Sequence, residues 1–305
     1  MGSYYGFIAA ILSPFFSSVS TIFKSEAARD LSPLVVVSLG GILGSIILFI
    51  IAGIRKEKVS KKLLSHNIKD LAWIVVSRFM VGELVFTYGL VETSAIKAIF
   101  FTKIEPYFVL ILGWLFLREK VKARNLLLLT IHLIGALLLS AGGIFLIPRA
   151  GDLLVIVAML CFASSYIVGK RISHAMGATL GSAIPMGIGS LILLPFALIS
   201  SSPHLLSYST KGWEYLIIYV ILFNVIALSF WFSSLKLVKG WIVSALRYVG
   251  PILGAPVAYF MFGQTLNGTQ MIGAGIIIVT SLLIAKEHFR EERKINLKNG
   301  QDDNL

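Results

Sequence analysis

Five ionisable residues lie inside apolar runs of this chain. Arg78 and Glu83 share one run, Lys103 and Glu105 share the next, and Arg247 sits in a run of the second half. A charge in a bilayer interior is costly, so one that is kept there pairs with another group, faces a wet cavity or meets a solute or ion. Helix geometry limits the pairing. Lys103 and Glu105 are two residues apart and point about 200° apart on a helix. Arg78 and Glu83 are five apart, about 140° around it. Each charge therefore needs a partner from another helix. Measured from the inner ends of the runs, Arg247 lies about 8 Å deep and Arg78 about 10 Å. Glu83 and Glu105 lie about 18 Å deep and Lys103 about 21 Å. These depths predict a Lys103–Glu83 pair near the midplane. They leave Arg78 and Arg247 as a shallower pair of cations facing the cytosol. Such cations either snorkel to the inner head groups or draw in the carboxylate or phosphate of a solute.

The elements that hold these charges must be membrane helices. The 305 residues are 57% hydrophobic and only 14% charged, with mean hydropathy +0.87. Soluble domains carry about 25% charged residues. The composition implies an all-α integral membrane protein. Its apolar runs predict ten transmembrane helices near 4–23, 34–54, 71–91, 97–117, 125–147, 152–169, 178–200, 214–235, 242–262 and 269–285. At about 20 residues per span, ten spans take about two-thirds of the chain and leave short loops. The first run lacks a basic start and a cleavage site, so it reads as a retained span rather than a signal peptide. Pro106, Pro251, Pro185 and Pro195 fall inside runs and are expected to kink them. Cys161 is the sole cysteine, so a disulfide within the chain and a cysteine metal site are excluded.

Lys and Arg set the orientation. With the N-terminus inside, 19 of the 27 basic residues fall in inner loops or the C-terminal tail. Four, Lys24, Arg29, Arg149 and Lys211, fall outside, and Arg78, Lys97, Lys103 and Arg247 fall within spans. This bias places both termini in the cytoplasm. It also accounts for the formal charge of +12 as a topology signal, not as nucleic-acid binding.

The chain repeats itself at an offset of 145. Lys103-Ile104-Glu105-Pro106-Tyr107, with Leu117-Arg118-Glu119 beyond it, is echoed by Tyr248-Val249-Gly250-Pro251-Ile252 and then Phe262-Gly263-Gln264. Five helices per copy is an odd number, so the second copy enters the membrane from the other side. The expected architecture is two inverted five-helix repeats, a frequent plan of secondary transporters, with the solute site between them. The repeats are expected at 4–147 and 152–285, followed by a short cytoplasmic tail at 286–305.

Two motifs recur: Ser17-Ser18-Val19-Ser20-Thr21-Ile22-Phe23-Lys24 with Phe162-Ala163-Ser164-Ser165-Tyr166-Ile167-Val168-Gly169-Lys170, and Glu105-Pro106 with Gly250-Pro251. With these the chain resembles the drug/metabolite transporter superfamily, EamA type, over residues 4 to 285. Gln264 departs from the family's usual Glu. The resemblance implies ten spans and a central cavity lined by the third, fourth, eighth and ninth helices, with the first and sixth moving beside it. It also favours export, with amino acids and related metabolites as the leading solutes and the plasma membrane as the location.

The candidate substrate-binding residues are Arg78, Glu83, Lys103, Glu105, Tyr107, Asn224, Arg247, Tyr248, Ser17 and Thr21. Tyr88, Trp231 and Ser244 lie on the same expected cavity helices. Pro106, Gly250 and Pro251 are the candidate hinge. Glycines four apart, Gly40/Gly44, Gly177/Gly181 and Gly250/Gly254, are expected to allow close helix packing. No zinc-protease or P-loop signature is present. The reading is therefore a transporter without cofactor or metal, and not an enzyme. Its partners are a small-molecule solute, the lipid bilayer and a coupling ion, H+ or Na+; the oligomeric state is left open. A carboxylated or phosphorylated solute is the alternative, from Arg78, Lys103 and Arg247. A membrane-embedded enzyme built on Glu83, Glu105 and His132, or a non-transporting receptor-like protein, are the alternatives of another class.

Overall fold

The structure is a computed structural model that describes residues 2–58, 61–93, 98, 101–118, 123–141, 150–201, 208–250, 252–253 and 267–302. Pro251, Gly254, Lys97, Arg149, Glu119 and Gln264 lie outside the described residues. Those described are helical, with no strand among them. The order is α1 (Gly2–Leu31), α2 (Pro33–Ile54), α3 (Lys61–His66) and α4 (Ile68–Ile74). A π-helix (Val75–Gly82) then leads into α5 (Glu83–Glu92). A 3-10 turn (Thr102–Ile104) precedes α6 (Glu105–Leu117), followed by α7 (Ala123–Ala141) and α8 (Ala150–Ser201). The second half continues with α9 (Thr210–Tyr219), a second π-helix (Val220–Ala227), α10 (Leu228–Leu237), α11 (Gly240–Leu246), a second 3-10 turn (Arg247–Val249) and α12 (Gly268–Asp302).

Among the described residues, six helices are long and apolar enough to cross a membrane, including Tyr4–Leu31, Pro33–Ile54 and Ala150–Ser200. The last has 51 residues. Straight, it would be about 77 Å long, more than twice the apolar thickness of a bilayer. It breaks at Gly177, whose φ of 78° and ψ of 177° are non-helical. The two arms match the expected sixth and seventh spans. Gly177 is thus a turn residue, and a Cβ there would meet nothing within 4 Å. This corrects the expectation that Gly177 packs against a neighbouring helix. The proline-rich sequence does not decide the break, since Pro185 and Pro195 both lie within the second arm.

The first helix is longer than expected. Lys24 to Asp30 are nearly all good helix formers, and no breaker follows until Ser32-Pro33. α1 therefore runs on to Leu31. Lys24, expected in an outer loop, is instead buried in the helix, 2% exposed.

The irregular points of the two halves coincide at the repeat offset. Ser32 takes φ 77°, as Gly177 takes φ 78°. The π-helices start at Val75 and Val220 and end at Gly82 and Ala227. Thr93 and Val238 end α5 and α10 in extended geometry. The 3-10 turns begin at Thr102 and Arg247. Each pair is 145 residues apart.

The halves also exchange contacts along a seam between α2 and the second arm of α8. Ser45 donates to the carbonyl of Ala183 at 2.9 Å, and Ser190, 145 residues after Ser45, donates to that of Val37 at 3.4 Å. A Cβ on Gly41 would strike Ser190, and one on Gly187 would stand 2.5 Å from the Ser45 hydroxyl. Reciprocal contact of this kind is the signature of a two-fold relation between surfaces. Gly40 and Gly44 pack as expected, against Leu216 and Asn224 of α9 and the second π-helix.

Candidate functional site

The π-helix changes the geometry of the third span. In it the backbone N–H of Glu83 bonds to the carbonyl of Arg78, five residues back. One wide turn, rather than 140° of α-helix, separates them, so both side chains serve one region. π-turns within α-helices are frequent at functional sites. Leu228 and Phe223 make the same backbone bond in the second half.

Glu83 forms an ion pair with Lys24 of α1. The expected Lys103–Glu83 pair is thereby corrected: once α1 runs on as helix, Lys24 reaches the carboxylate first. The Lys24 ammonium lies 5.2 Å from the ring centroids of both Phe86 and Tyr219. The pair is buried, and the rings shield it from lipid.

Arg78 is 3% exposed, so it does not snorkel to head groups. Its guanidinium lies 4.1 Å from the Trp231 ring centroid and 5.2 Å from that of Phe162. One long hydrogen bond, 3.4 Å, runs to the Ser165 hydroxyl. That hydroxyl donates in turn to the carbonyl of Phe162 at 2.6 Å. Arg78 Nε has no partner. Tyr166 packs edge-on against Trp231, with centroids 5.1 Å apart. The Tyr166 hydroxyl and the Trp231 indole N–H are buried facing each other, with Arg247 beside the same hydroxyl, and neither makes a well-aligned hydrogen bond.

Arg247 does not pair with Arg78 as a second cytosolic cation. It donates to Glu105 Oε2 at 2.6 Å, joining the second half to the first. The other oxygen, Glu105 Oε1, is buried and unpartnered. Lys103 lies 5.3 Å from the Tyr248 ring. Tyr248 donates its hydroxyl to the Lys103 carbonyl and stacks on His132, centroids 4.9 Å apart. His132 meets Thr280 and the carbonyl of Ala245, the packed, hydrogen-bonded role of a core histidine.

These groups form one electrostatic chain. Arg78 feels the charges of Glu83, Glu105 and Arg247, and Lys103 those of Arg247 and Glu105. The chain holds four basic groups, Lys24, Arg78, Lys103 and Arg247, against two carboxylates, Glu83 and Glu105. A desolvated cation–π contact supplies about 2 kcal/mol. Burying an ion costs several kcal/mol. Aromatic faces alone do not offset that cost, so Arg78 is left short of a counter-charge.

The comparisons with known proteins agree with a membrane design of two similar halves. A model of the EamA-like transporter family matches residues 4–141 and again residues 149–286. The chain belongs to the EamA-like transporter family. Among EamA-like relatives, the uncharacterized transporter YetK of Bacillus subtilis is 26% identical over 220 residues, 69% of this chain and 66% of YetK. An uncharacterized transporter of Methanothermobacter thermautotrophicus is 22% identical over 307 residues, 92% of this chain and 85% of that protein. Protein PecM of Dickeya dadantii is 24% identical over 188 residues, 60% of this chain and 62% of PecM. A crystal structure at 15% identity superposes with a TM-score of 0.69, over 95% of this chain and 98% of its own, which speaks to the fold. An EamA-like chain with several long apolar helices is a multi-pass membrane transporter.

The remaining candidates lie apart from the charged chain or at its edge. Asn224 donates to the carbonyl of Gly40 at 2.8 Å, spending its amide on α2. Thr21 donates to the Ser17 carbonyl within α1. Tyr107 reaches Thr130 of α7 at 3.2 Å. Pro106 opens α6, where a proline is tolerated, just after the 3-10 turn. Gly250 follows the second 3-10 turn and admits α1 closely: a Cβ there would strike Ser18 and stand 2.6 Å from the Pro14 carbonyl. Sequence reasoning missed Tyr166 and the pairing role of Lys24. The motif Ser165-Tyr166 opposite Ser20-Thr21 was the available signal, since only a tyrosine there breaks an otherwise apolar or small-residue face.

Proposed function

We propose that this EamA-like chain is a secondary transporter working by alternating access, with ten spans in two inverted five-helix repeats at 4–147 and 152–285. It exports small polar metabolites such as amino acids across the plasma membrane, with both termini cytoplasmic and a gradient of H+ or Na+ as a source of drive. The observation that carries this reading is the buried chain of charges at the meeting of the two halves. An apolar bundle has no need of Arg247–Glu105, a partly buried ion pair that bridges them. Breaking and remaking such inter-repeat contacts is what alternate opening requires. The matched irregularities and the reciprocal Ser45 and Ser190 bonds support the inverted pairing. Pro106, Gly250 and Pro251, beside the two 3-10 turns, are the proposed hinge.

A second reading, a carboxylated or phosphorylated cargo, is favoured by the surplus of cations over carboxylates in the same cluster. Both readings meet one experiment. Purified protein in proteoliposomes, loaded with a panel of labelled amino acids, organic acids and sugar phosphates, is expected to release at least one of them saturably. Binding without flux would favour the receptor-like alternative, and chemical conversion of a compound the enzymatic one.

A further inference from the structure

We infer that Arg78, Tyr166 and Trp231 form a binding site for an oxyanion, the carboxylate or phosphate end of the transported solute. The inference rests on the transporter reading and narrows its solute to a class. Three groups carry it: Arg78 Nε is buried without a partner, and the Trp231 indole N–H and the Tyr166 hydroxyl, which face each other with Arg247 beside the same hydroxyl, make no well-aligned hydrogen bond. A guanidinium and an indole can only donate. What faces Arg78 Nε must accept, and beside a guanidinium without an ion pair of its own it carries negative charge. Carboxylate and phosphate offer two or more acceptor oxygens in one planar or compact group, the form that guanidinium binds best.

The surroundings fit the same ligand. Trp231 covers one face of the guanidinium at 4.1 Å, and Ser165 takes one corner by a long bond. Glu83, five residues along the same span, is held by Lys24. Glu105 is held by Arg247. Glu83 and one oxygen of Glu105 are therefore committed to other cations. Arg78 comes from the first half of the chain, and Tyr166 on α8 and Trp231 on α10 come from the second. A solute bound by all three touches both halves at once, and its arrival or departure changes how strongly they hold together. Arg247, paired with Glu105, flanks the site beside Tyr166.

The test uses the purified full-length protein in detergent, titrated separately with inorganic phosphate and with succinate against chloride at equal ionic strength. Melting temperature and tryptophan fluorescence are read. At least one of the two anions is expected to raise the melting temperature saturably in the wild type. Phosphate alone marks a phosphorylated solute and succinate alone a carboxylated one, and both outcomes support the site. Arg78→Gln should abolish the response, and Arg78→Lys should keep it weakened. Tyr166→Phe and Trp231→Phe should each raise the apparent Kd by about tenfold, the value of one charge-assisted hydrogen bond. Trp231→Phe should also remove the fluorescence change. No stabilisation by either anion beyond chloride overturns the proposal, as does a wild-type response in Arg78→Gln. If Arg78→Gln does not fold, unchanged affinity in both aromatic variants overturns it equally. A protein that moves neutral metabolites in proteoliposomes yet ignores both anions keeps the transporter reading and loses this one.

Discussion

Tyr248 donates its hydroxyl to the backbone carbonyl of Lys103, and the two residues hold equivalent positions 145 apart. Each is the middle residue of a 3-10 turn. The two turns therefore touch where the halves meet, and His132 closes the contact by stacking on the Tyr248 ring. Tyr248→Phe keeps the ring and removes the bond. It should cost about 1–3 kcal/mol, the desolvation of one orphaned carbonyl, read as a lower midpoint of thermal unfolding in detergent. An unchanged midpoint would show that water replaces the hydroxyl.

The Lys24–Glu83 pair gives a second expectation. Removing one partner strands a buried charge, at about 3–5 kcal/mol. Lys24→Met and Glu83→Gln should each lower the yield of folded protein, and the double variant should recover much of the loss. Strictly additive losses in the double-mutant cycle would mean that the two groups do not act on one another.

The cation surplus predicts opposite signs at two neighbouring positions. Glu105→Gln removes the partner of Arg247 and deepens the surplus, so it should destabilise by about 3 kcal/mol or more. Lys103→Met removes a cation that has no ion pair among the described residues. Its effect on stability should be neutral or favourable. Chemical denaturation of the two variants checks the order, and Lys103→Met as the worse of the two would refute it.

Two glycines of α2 test the packing. A Cβ at Gly44 would stand 2.6 Å from the Cβ of Asn224, whereas one at Gly53 would meet nothing within 4 Å. Gly44→Ala should therefore destabilise, and Gly53→Ala should be neutral or stabilise by up to about 1 kcal/mol through helix propensity. Equal melting temperatures for the two would contradict the α2 seam.

Orientation is open to labelling. After Cys161→Ser, a cysteine at Ser60 should react only with membrane-permeant reagents, and one at Ser209 with impermeant reagents added outside. Impermeant labelling at Ser60 would reverse the topology.

The class, the repeat and the buried charges were legible in the sequence because hydropathy and identity at an offset are local facts. The partners were not. Arg78 and Glu83 were assigned to different helix faces because α-helical geometry was assumed, and nothing in Val75–Gly82 announces a π-helix. Lys24 counts with the outer side in the sequence because a run of polar residues after an apolar one reads as an exit from the membrane. Here that run stays helical, and a carboxylate on a neighbouring span accepts the charge. Tyr166 was passed over because an aromatic residue in an apolar run most often packs against the core or faces lipid. Only its ring contact with Trp231 and the closeness of its hydroxyl to Arg247 tie it to the charged chain.

The seam in which Ser45 and Ser190 answer each other has a historical reading. A surface that fits its own counterpart closes equally well between two copies of one short chain. Joining two such copies end to end invents no interface; it only frees each copy to specialise. The specialisation is visible in the equivalent positions: Lys24, Arg78, Glu83, Lys103 and Glu105 in the first copy stand opposite Gly169, Phe223, Leu228, Tyr248 and Gly250 in the second. The first copy holds all of the cluster's charges but one, and the second adds Arg247 with rings and small residues beside them, a division of labour that two identical subunits cannot reach.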